Sequence, residues 1–415
     1  MTLPQYGTNP APWAADSLTH IQGQIVQPVY WLECYENHFG IGHSVVEVPA
    51  WDIEVTLDCR RNPYGTLKAT IPLSAPPLSP FSDYNVVNVK AGYRRAGGDD
   101  VHTLFHGFVT RASTKYDRNS GNMVRTIEAQ TGEIFYDHPI ASGTWNINNG
   151  TTIPVQFNTH FNGSPARFYR PPCYITTEGT LSTPASGAQT AYNNLEIEAG
   201  TTDSLDDWFH NMAETLGQWL RGDVRNAFGY DPDTHPHPGA YVISDDYGLA
   251  GGTPPSGLAL PLDGIYEEVN TNEDLDEWAA AVALTCKWPS GDTWTTKQRL
   301  FGNLSVNEPA GGLVKVRSVE ATRRPPGGVL SSTDLIGNLW ADRLRRRTGD
   351  VTVTARAAWW LQPKMYISLP GVTVNTAGGA PYTFQPLQGS PVAQISAVTF
   401  LVDQGLMSIT ADPGN

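Results

Sequence analysis

The stretch Trp51-Asp52-Ile53-Glu54-Val55-Thr56-Leu57-Asp58-Cys59 alternates without a break, apolar at every odd position and polar at every even one. A period of two belongs to a β-strand with one dry face and one wet face, because successive side chains on an extended backbone point to opposite sides. Outward from it, the spacing predicts further strands over 86–91, 102–111 and 123–130. They are separated by polar turns at Gly97-Gly98-Asp99 and Asn119-Ser120-Gly121. Short strands at this spacing predict an antiparallel barrel or sandwich.

Composition agrees with a strand-and-turn chain. Gly 40 and Pro 32 are numerous among 415 residues, while only 16% are charged, against about 25% in average domains. A length of 415 exceeds what one core usually organises, so several domains are expected. Lys and Arg number 27 against 41 Asp and Glu, a net charge of −14, which argues against stable binding to nucleic acid or to an anionic membrane. The hydrophobic share of 40% and the 12 Trp argue against disorder. The N-terminus has no basic stretch followed by an apolar run, so no secretory signal and a cytoplasmic synthesis are expected. The longest apolar run, 278–284, is far shorter than a membrane-spanning helix requires. Cys34, Cys59, Cys173 and Cys286 are too widely spaced for a zinc ribbon or a redox dithiol and are expected as buried free thiols.

After Tyr136 the periodicity fades, and 141–200 read as irregular structure rich in Gly, Thr, Asn and Pro. A helix is expected from Ser204, with Leu205, Trp208, Phe209, Met212 and Leu216 at helical spacing. Residues 229–261 read as loop. The acidic run Asp274 to Glu277 is expected to open another helix, where negative charge suits the dipole. Beyond it come strands at 304–306 and 314–319 and a helix over 332–347, which places Leu335, Ile336, Leu339, Trp340 and Leu344 on one face and Arg345-Arg346-Arg347 in its last turn. Strands at 351–355 and 365–369 follow, and 398–410 read as a terminal hairpin turning at Asp403-Gln404-Gly405. The division is therefore 1–140, 141–262 and 263–415.

Catalytic signatures are missing. The chain has no Gly-x-Ser-x-Gly elbow, no phosphate-binding Gly-x-x-x-x-Gly-Lys loop, no dinucleotide Gly-x-Gly-x-x-Gly and no His-Glu-x-x-His helix. Asp231, Asp233, His235 and His237 are the most metal-like group, and on a Pro-interrupted loop they read first as solvated polar residues; His38 and His43, flanking Phe39-Gly40-Ile41-Gly42, are a weaker version of the same idea. The carboxylate pairs, such as Asp206-Asp207, read as helix first turns and not as the paired acids of a glycosidase. Trp359 and Trp360, if on a strand, face opposite ways, one ring inward and one toward a partner.

Taken in order, these segments resemble a known family. Val86-Val87-Asn88-Val89, then Leu104-Phe105-His106-Gly107-Phe108-Val109, a polar hairpin and Thr126-Ile127-Glu128-Ala129-Gln130 look like the first barrel of the tail hub proteins of tailed bacteriophages, the baseplate or tail-tip minor tail proteins. The helix bearing Ala341, then Asp350-Val351-Thr352-Val353, Leu361-Gln362-Pro363-Lys364, Tyr366 to Gly371 and Gln394 to Val402, look like the second barrel. Where the family has a Pro-Gly-Asp turn, this chain has Gln362-Pro363-Lys364, and 141–262 show no such likeness. The resemblance implies a mainly β chain: a first β-barrel hub domain with an N-terminal arm over 1–140, a loop-rich α+β intermediate domain over 141–262, and a second β-barrel hub domain over 263–415. It implies a homotrimer in the virion tail tip of a siphovirus, forming a channel for tape-measure protein and DNA ejection and docking distal tail and fibre or receptor-binding proteins. No cofactor and no catalytic residue are implied, and an end at Asn415 is expected to leave no room for an added lysin domain. Trp359, Trp360, Phe105 and Phe108 are the interface candidates. A tail-associated cell-wall hydrolase or a carbohydrate-binding adhesin are the alternatives.

Overall fold

The computed structural model describes residues 28–36, 45–59, 64–94, 100–118, 121–131, 143–148, 175–177, 194–199, 218–223, 240–245, 258–259, 270–273, 278–290, 293–302, 315–322, 324–346, 349–363, 365–369, 372–374, 382–384 and 393–413. The first block holds β1 (Pro28–Glu36), β2 (Val45–Val48), β3 (Trp51–Asp58), β4 (Gly65–Pro72), β5 (Tyr84–Tyr93), β6 (Asp100–Asp117) and β7 (Asn122–Gln130). The middle of the chain contributes β8 (Gly143–Asn148), β9 (Ile175–Thr177), β10 (Asn194–Ala199), β11 (Gln218–Asp223), β12 (Ala240–Asp245), β13 (Leu258–Ala259) and β14 (Asn270–Glu273). The last third holds β15 (Ala281–Ser290), β16 (Thr293–Gly302), β17 (Val316–Thr322), the helix α1 (Leu335–Arg346), β18 (Gly349–Arg356), β19 (Tyr366–Ser368), β20 (Val372–Val374), β21 (Tyr382–Phe384), β22 (Ala393–Leu401) and β23 (Leu406–Pro413).

The chain is mainly β, as expected, and its two ends meet in one sheet. Thirteen strands run in the order β14-β18-β23-β22-β3-β4-β7-β6-β5-β1-β2, with β19 on β22 and β13 on β19. Among the described residues no pairing joins the end strands β14 and β2, so the sheet is not a closed barrel. The seam is β3 against β22, antiparallel, with Val55 opposite Phe400 and Leu57 opposite Val398. The alternation in β3 explains why it can sit there: Ile53, Val55 and Leu57 are buried while Asp52 and Glu54 stay wet. A single core takes these residues together with Leu32, Leu67, Val89 and Ile127 from the first block and Val353, Ile395, Val398, Phe400 and Ile409 from the last. Side chains from 28–131 and from 349–413 thus close over each other.

β5 is buried on both faces. Val87, Val89 and Ala91 enter the main core, and Val86 joins Tyr35 and Phe108 in a small cluster on the opposite side. That double burial accounts for the nearly continuous apolar run of this strand.

The expected strands at 51–59, 86–91, 102–111, 123–130, 351–355 and 365–369 are present as β3, β5, β6, β7, β18 and β19, and the terminal hairpin as β22 and β23. The helix expected over 332–347 is α1; Asp334 caps it, its carboxylate accepting the N–H of Gly337 at 3.1 Å. Three differences stand out. Asp274 to Glu277 lie outside the described residues, and the apolar run that follows them is not helical: Ala281 to Ser290 form β15, the middle strand of a three-stranded sheet between antiparallel β16 and parallel β17. A middle strand with a helix on one face carries a continuous apolar run, which periodicity alone cannot separate from a buried helix. Second, the middle third, read as irregular, contains paired strands: β8 with β10, and β12 between β11 and β9. Third, Trp359-Trp360 lie in a turn closed by Leu361 N–H donating to the Ala358 carbonyl at 2.8 Å, not on a strand. The helix from Ser204, the strand at 304–306 and the side chains of Arg345 to Arg347 lie outside the described residues.

Candidate assembly surfaces

Of the four interface candidates, three are buried within the chain itself. Phe105 on β6 is in the main core, and Phe108 three residues later on the same strand is on the other face with Tyr35 and Val86, as the alternation of a strand requires. Trp359 is 2% exposed, tilted against Tyr93 at 5.6 Å and Phe400 at 5.8 Å between ring centres. Trp360 is half-buried and packs on His102 at 6.1 Å. Asp231, Asp233, His235, His237, His38 and His43 lie outside the described residues. Among the described residues no three His, Cys, Asp or Glu side chains come together as a metal site. Cys34, Cys59 and Cys286 are buried and, among the described residues, in no disulfide, whereas Cys173 lies outside the described residues.

Sequence reasoning missed a buried polar row between β1 and β5. The Glu33 carboxylate accepts from Tyr35 Oη at 2.9 Å, from Asn88 Nδ2 at 3.0 Å and from Lys90 Nζ at 3.1 Å. Glu33 pairs across the strands with Asn88 in the β1–β5 register. A one-residue slip would drive these groups into the apolar core, so the row fixes the register of the pair. Its signal in the sequence is polar Asn88 and Lys90 at every second position of an apolar run.

Exposed apolar groups define the surfaces available for assembly. The β6–β7 hairpin runs past the last β4 pairing, Pro72 with Val124, and near its tip Tyr116 stands opposite Met123; both are exposed, Tyr116 by 62%. The loop after β4 carries Phe81, 98% exposed. Helix α1 packs on one face of the β16-β15-β17 sheet, where Val282, Leu284, Cys286 and Phe301 meet Ala341 and Leu344 of the helix. The opposite face presents Trp294, Leu300 and Val316, all exposed. Exposed aromatic and apolar groups of this kind suit contact with another protein surface.

Ionisation is perturbed at two described positions. Burial pushes the Cys34 thiol up to about 11. Burial, and secondarily the charge of Asp403, raises the Tyr30 phenol above its ordinary value. Both shifts keep a group neutral in a packed wall and neither prepares a nucleophile. Among the described residues no helix is long and apolar enough to cross a membrane.

The fold is similar to that of solved phage tail proteins. The tail protein from Neisseria meningitidis MC58 superimposes with a TM-score of 0.50 at 12% identity, over 93% of this chain and 96% of that one. The 43 kDa tail protein of prophage MuSo2 from Shewanella oneidensis gives 0.51 at 12% identity, over 93% of this chain and all of the other, 100%. Prophage tail protein gp18 from Listeria monocytogenes EGD-e is more distant, at 0.44 and 11% identity over 92% of this chain and 93% of its own. No family model and no curated protein matches the sequence.

Proposed function

We propose that this chain is a structural protein of a bacteriophage tail and works as a homotrimeric hub at the tail tip. The observation that carries the reading is the end-to-end correspondence with the Shewanella prophage tail protein, over 93% of one chain and 100% of the other. A fold shared over whole chains, and not over one grafted domain, supports a shared architectural role. In this reading, 1–140 and 263–415 build the ring and 141–262 form an intermediate part between ring and partners. The ring closes the tail tube and gives tape-measure protein and DNA their exit. Its outer surfaces, with Phe81 and the Tyr116–Met123 tip among them, dock distal tail and fibre or receptor-binding proteins. The action is mechanical and needs no cofactor and no catalytic residue. Three chains of net −14 carry −42 together, and the part of that charge facing the channel repels passing DNA and does not hold it.

Mass photometry of the purified chain tests the reading: species of three 45.2 kDa chains, seen as open rings in negative stain, are expected. A monomer at every concentration tried, or clearing of a cell-wall zymogram by the pure chain, sinks it.

A further inference from the structure

Strand β6 outruns its neighbour on one side. Its pairing with β5 ends at Phe108 opposite Val86, whereas its pairing with β7 continues to Asp117 opposite Asn122. Among the described residues no strand pairs with 109–117 on the β5 side, so about 30 Å of backbone edge, at ~3.4 Å per residue, is open there. Apolar groups stand in water at both ends of it. Tyr116 and Met123 face each other at the hairpin tip, both exposed. At the other end is Phe81, on the loop 73–83 that joins β4 to β5 across β7 and β6 and reaches β5 two residues before Val86. Leu78 anchors this loop in the main core. The turn beyond it is fixed by two hydroxyls: that of Ser82 accepts the Ser79 N–H at 3.3 Å and donates to the Tyr84 carbonyl at 2.9 Å, and that of Ser79 accepts the Phe81 N–H at 3.3 Å. A braced turn thus holds an exposed aromatic ring in place, which lowers the ordering cost of a contact made through it.

The hairpin is also basic. Residues 111–125 contain Arg111, Lys115, Arg118 and Arg125 against Asp117 alone, a net +3 in a chain of −14. Arg111 faces Glu128 at 3.8 Å, while among the described residues Lys115, Arg118 and Arg125 are in no ion pair. We infer that the open edge of β6 takes up an extended acidic segment of a partner protein as an added strand, an inference that rests on the reading of this tip as a docking surface. The unpaired edge supplies main-chain hydrogen bonds to such a strand. Lys115 and Tyr116, as consecutive residues, point to opposite faces, so a segment that alternates carboxylate and apolar side chains meets the cations on one face and the tyrosine ring on the other. The same cations select against a second copy, because two β6 edges brought together would set Arg111 and Lys115 against like charges.

The test is fluorescence anisotropy of the full chain with a labelled peptide of alternating Glu and Val, about ten residues long to match the open edge. Saturable binding is expected, weakened at least ~10-fold between about 50 mM and about 500 mM NaCl, since exposed charge pairs are screened. K115E/R118E is expected to weaken it at least ~10-fold, and F81S/Y116S also to weaken it, both with an unchanged melting temperature because these side chains are exposed. The same peptide N-methylated along its backbone cannot donate main-chain hydrogen bonds and is expected not to bind. Failure of the native chain to bind the Glu-Val peptide, or equal binding of the N-methylated peptide or of a Lys-Val peptide, overturns the inference. A changed oligomeric state of K115E/R118E in mass photometry overturns it as well, by making the tip a contact between copies. A native chain that is monomeric throughout removes the trimer reading and leaves the peptide result to stand by itself.

Discussion

At the residue scale, Asp403 holds the start of β3 in an unusual shape. Asp52 has a φ of 50°, a left-handed conformation that costs a non-glycine residue about 1 kcal/mol or more, and it lies where β3 shifts register against β4. The Asp403 carboxylate, in the turn between β22 and β23, accepts the N–H of Asp52 at 2.9 Å and of Ile53 at 3.2 Å. Asp403→Ala is expected to lower unfolding stability by about 1–3 kcal/mol in urea titration, because two charge-assisted bonds are lost at once. Asp403→Asn, which keeps one acceptor, should lose less. Trp359 offers a sharper comparison. Its ring is buried and its Nε1 has no hydrogen-bond partner among the described residues, so Trp359→Phe is expected to cost far less than Trp359→Ala, for which about 3–5 kcal/mol is usual. Cys34 sets a pH dependence. Its thiol is raised from 9.0 to about 11 by burial, so the stabilisation from keeping it neutral is complete below pH 9 and is lost as pH rises from 9 toward 11. Urea midpoints at pH 8 and pH 10.5 should differ more for the native chain than for Cys34→Ala; equal differences would refute this.

At the element scale, α1 can approach its sheet only because position 337 has no side chain. A Cβ on Gly337 would lie 2.5 Å from three atoms of the Phe301 ring, and that ring belongs to the core under the helix. Gly337→Ala is expected to lower the melting temperature through about 1–3 kcal/mol of overpacking, in spite of alanine's better helix propensity. Gly337→Ala with Phe301→Leu should recover part of the loss. The contrast between α1 and β15 shows what could be read from residues alone. Ile336, Trp340 and Leu344 recur at helical spacing behind the Asp334 cap, so local physics sufficed for α1. Trp278 to Leu284 is uniformly apolar, and what makes its second half a strand is pairing with distant partners, β16 antiparallel on one side and β17 parallel on the other. Strands β8 and β10 carry a short signal of their own: Trp145 and Ile147 alternate with polar residues, as do Leu195 and Ile197, and they pair directly. The assembly surfaces were the least legible. Phe105, Phe108 and Trp359 went to the interior because aromatic type does not distinguish core from contact, while Phe81, Tyr116 and Trp294 became exposed through loop and hairpin lengths that only the folded sheet defines.

At the scale of the whole molecule, the seam between β3 and β22 makes the first and last strands of the main core interdependent. Residues 28–131 produced alone would leave the β22 side of β3 unpaired, with Val55 and Leu57 losing their Phe400 and Val398 neighbours. That fragment is expected to be insoluble, since a bare apolar strand edge templates aggregation. Co-expression with a fragment spanning 263–415 should bring both into solution as a co-purifying pair, and a soluble, cooperatively melting 28–131 fragment would show that the seam matters little. The same seam has a consequence for biosynthesis. Thr56 and Thr399, whose hydroxyls meet at 3.0 Å, are 343 positions apart in the chain, so at about 5–20 residues per second a ribosome needs roughly 20–70 s to deliver the second after the first. Throughout that interval the edge of β3 that β22 will occupy has no mate, and the yield of mature protein depends on how well that edge stays shielded until the last strands emerge.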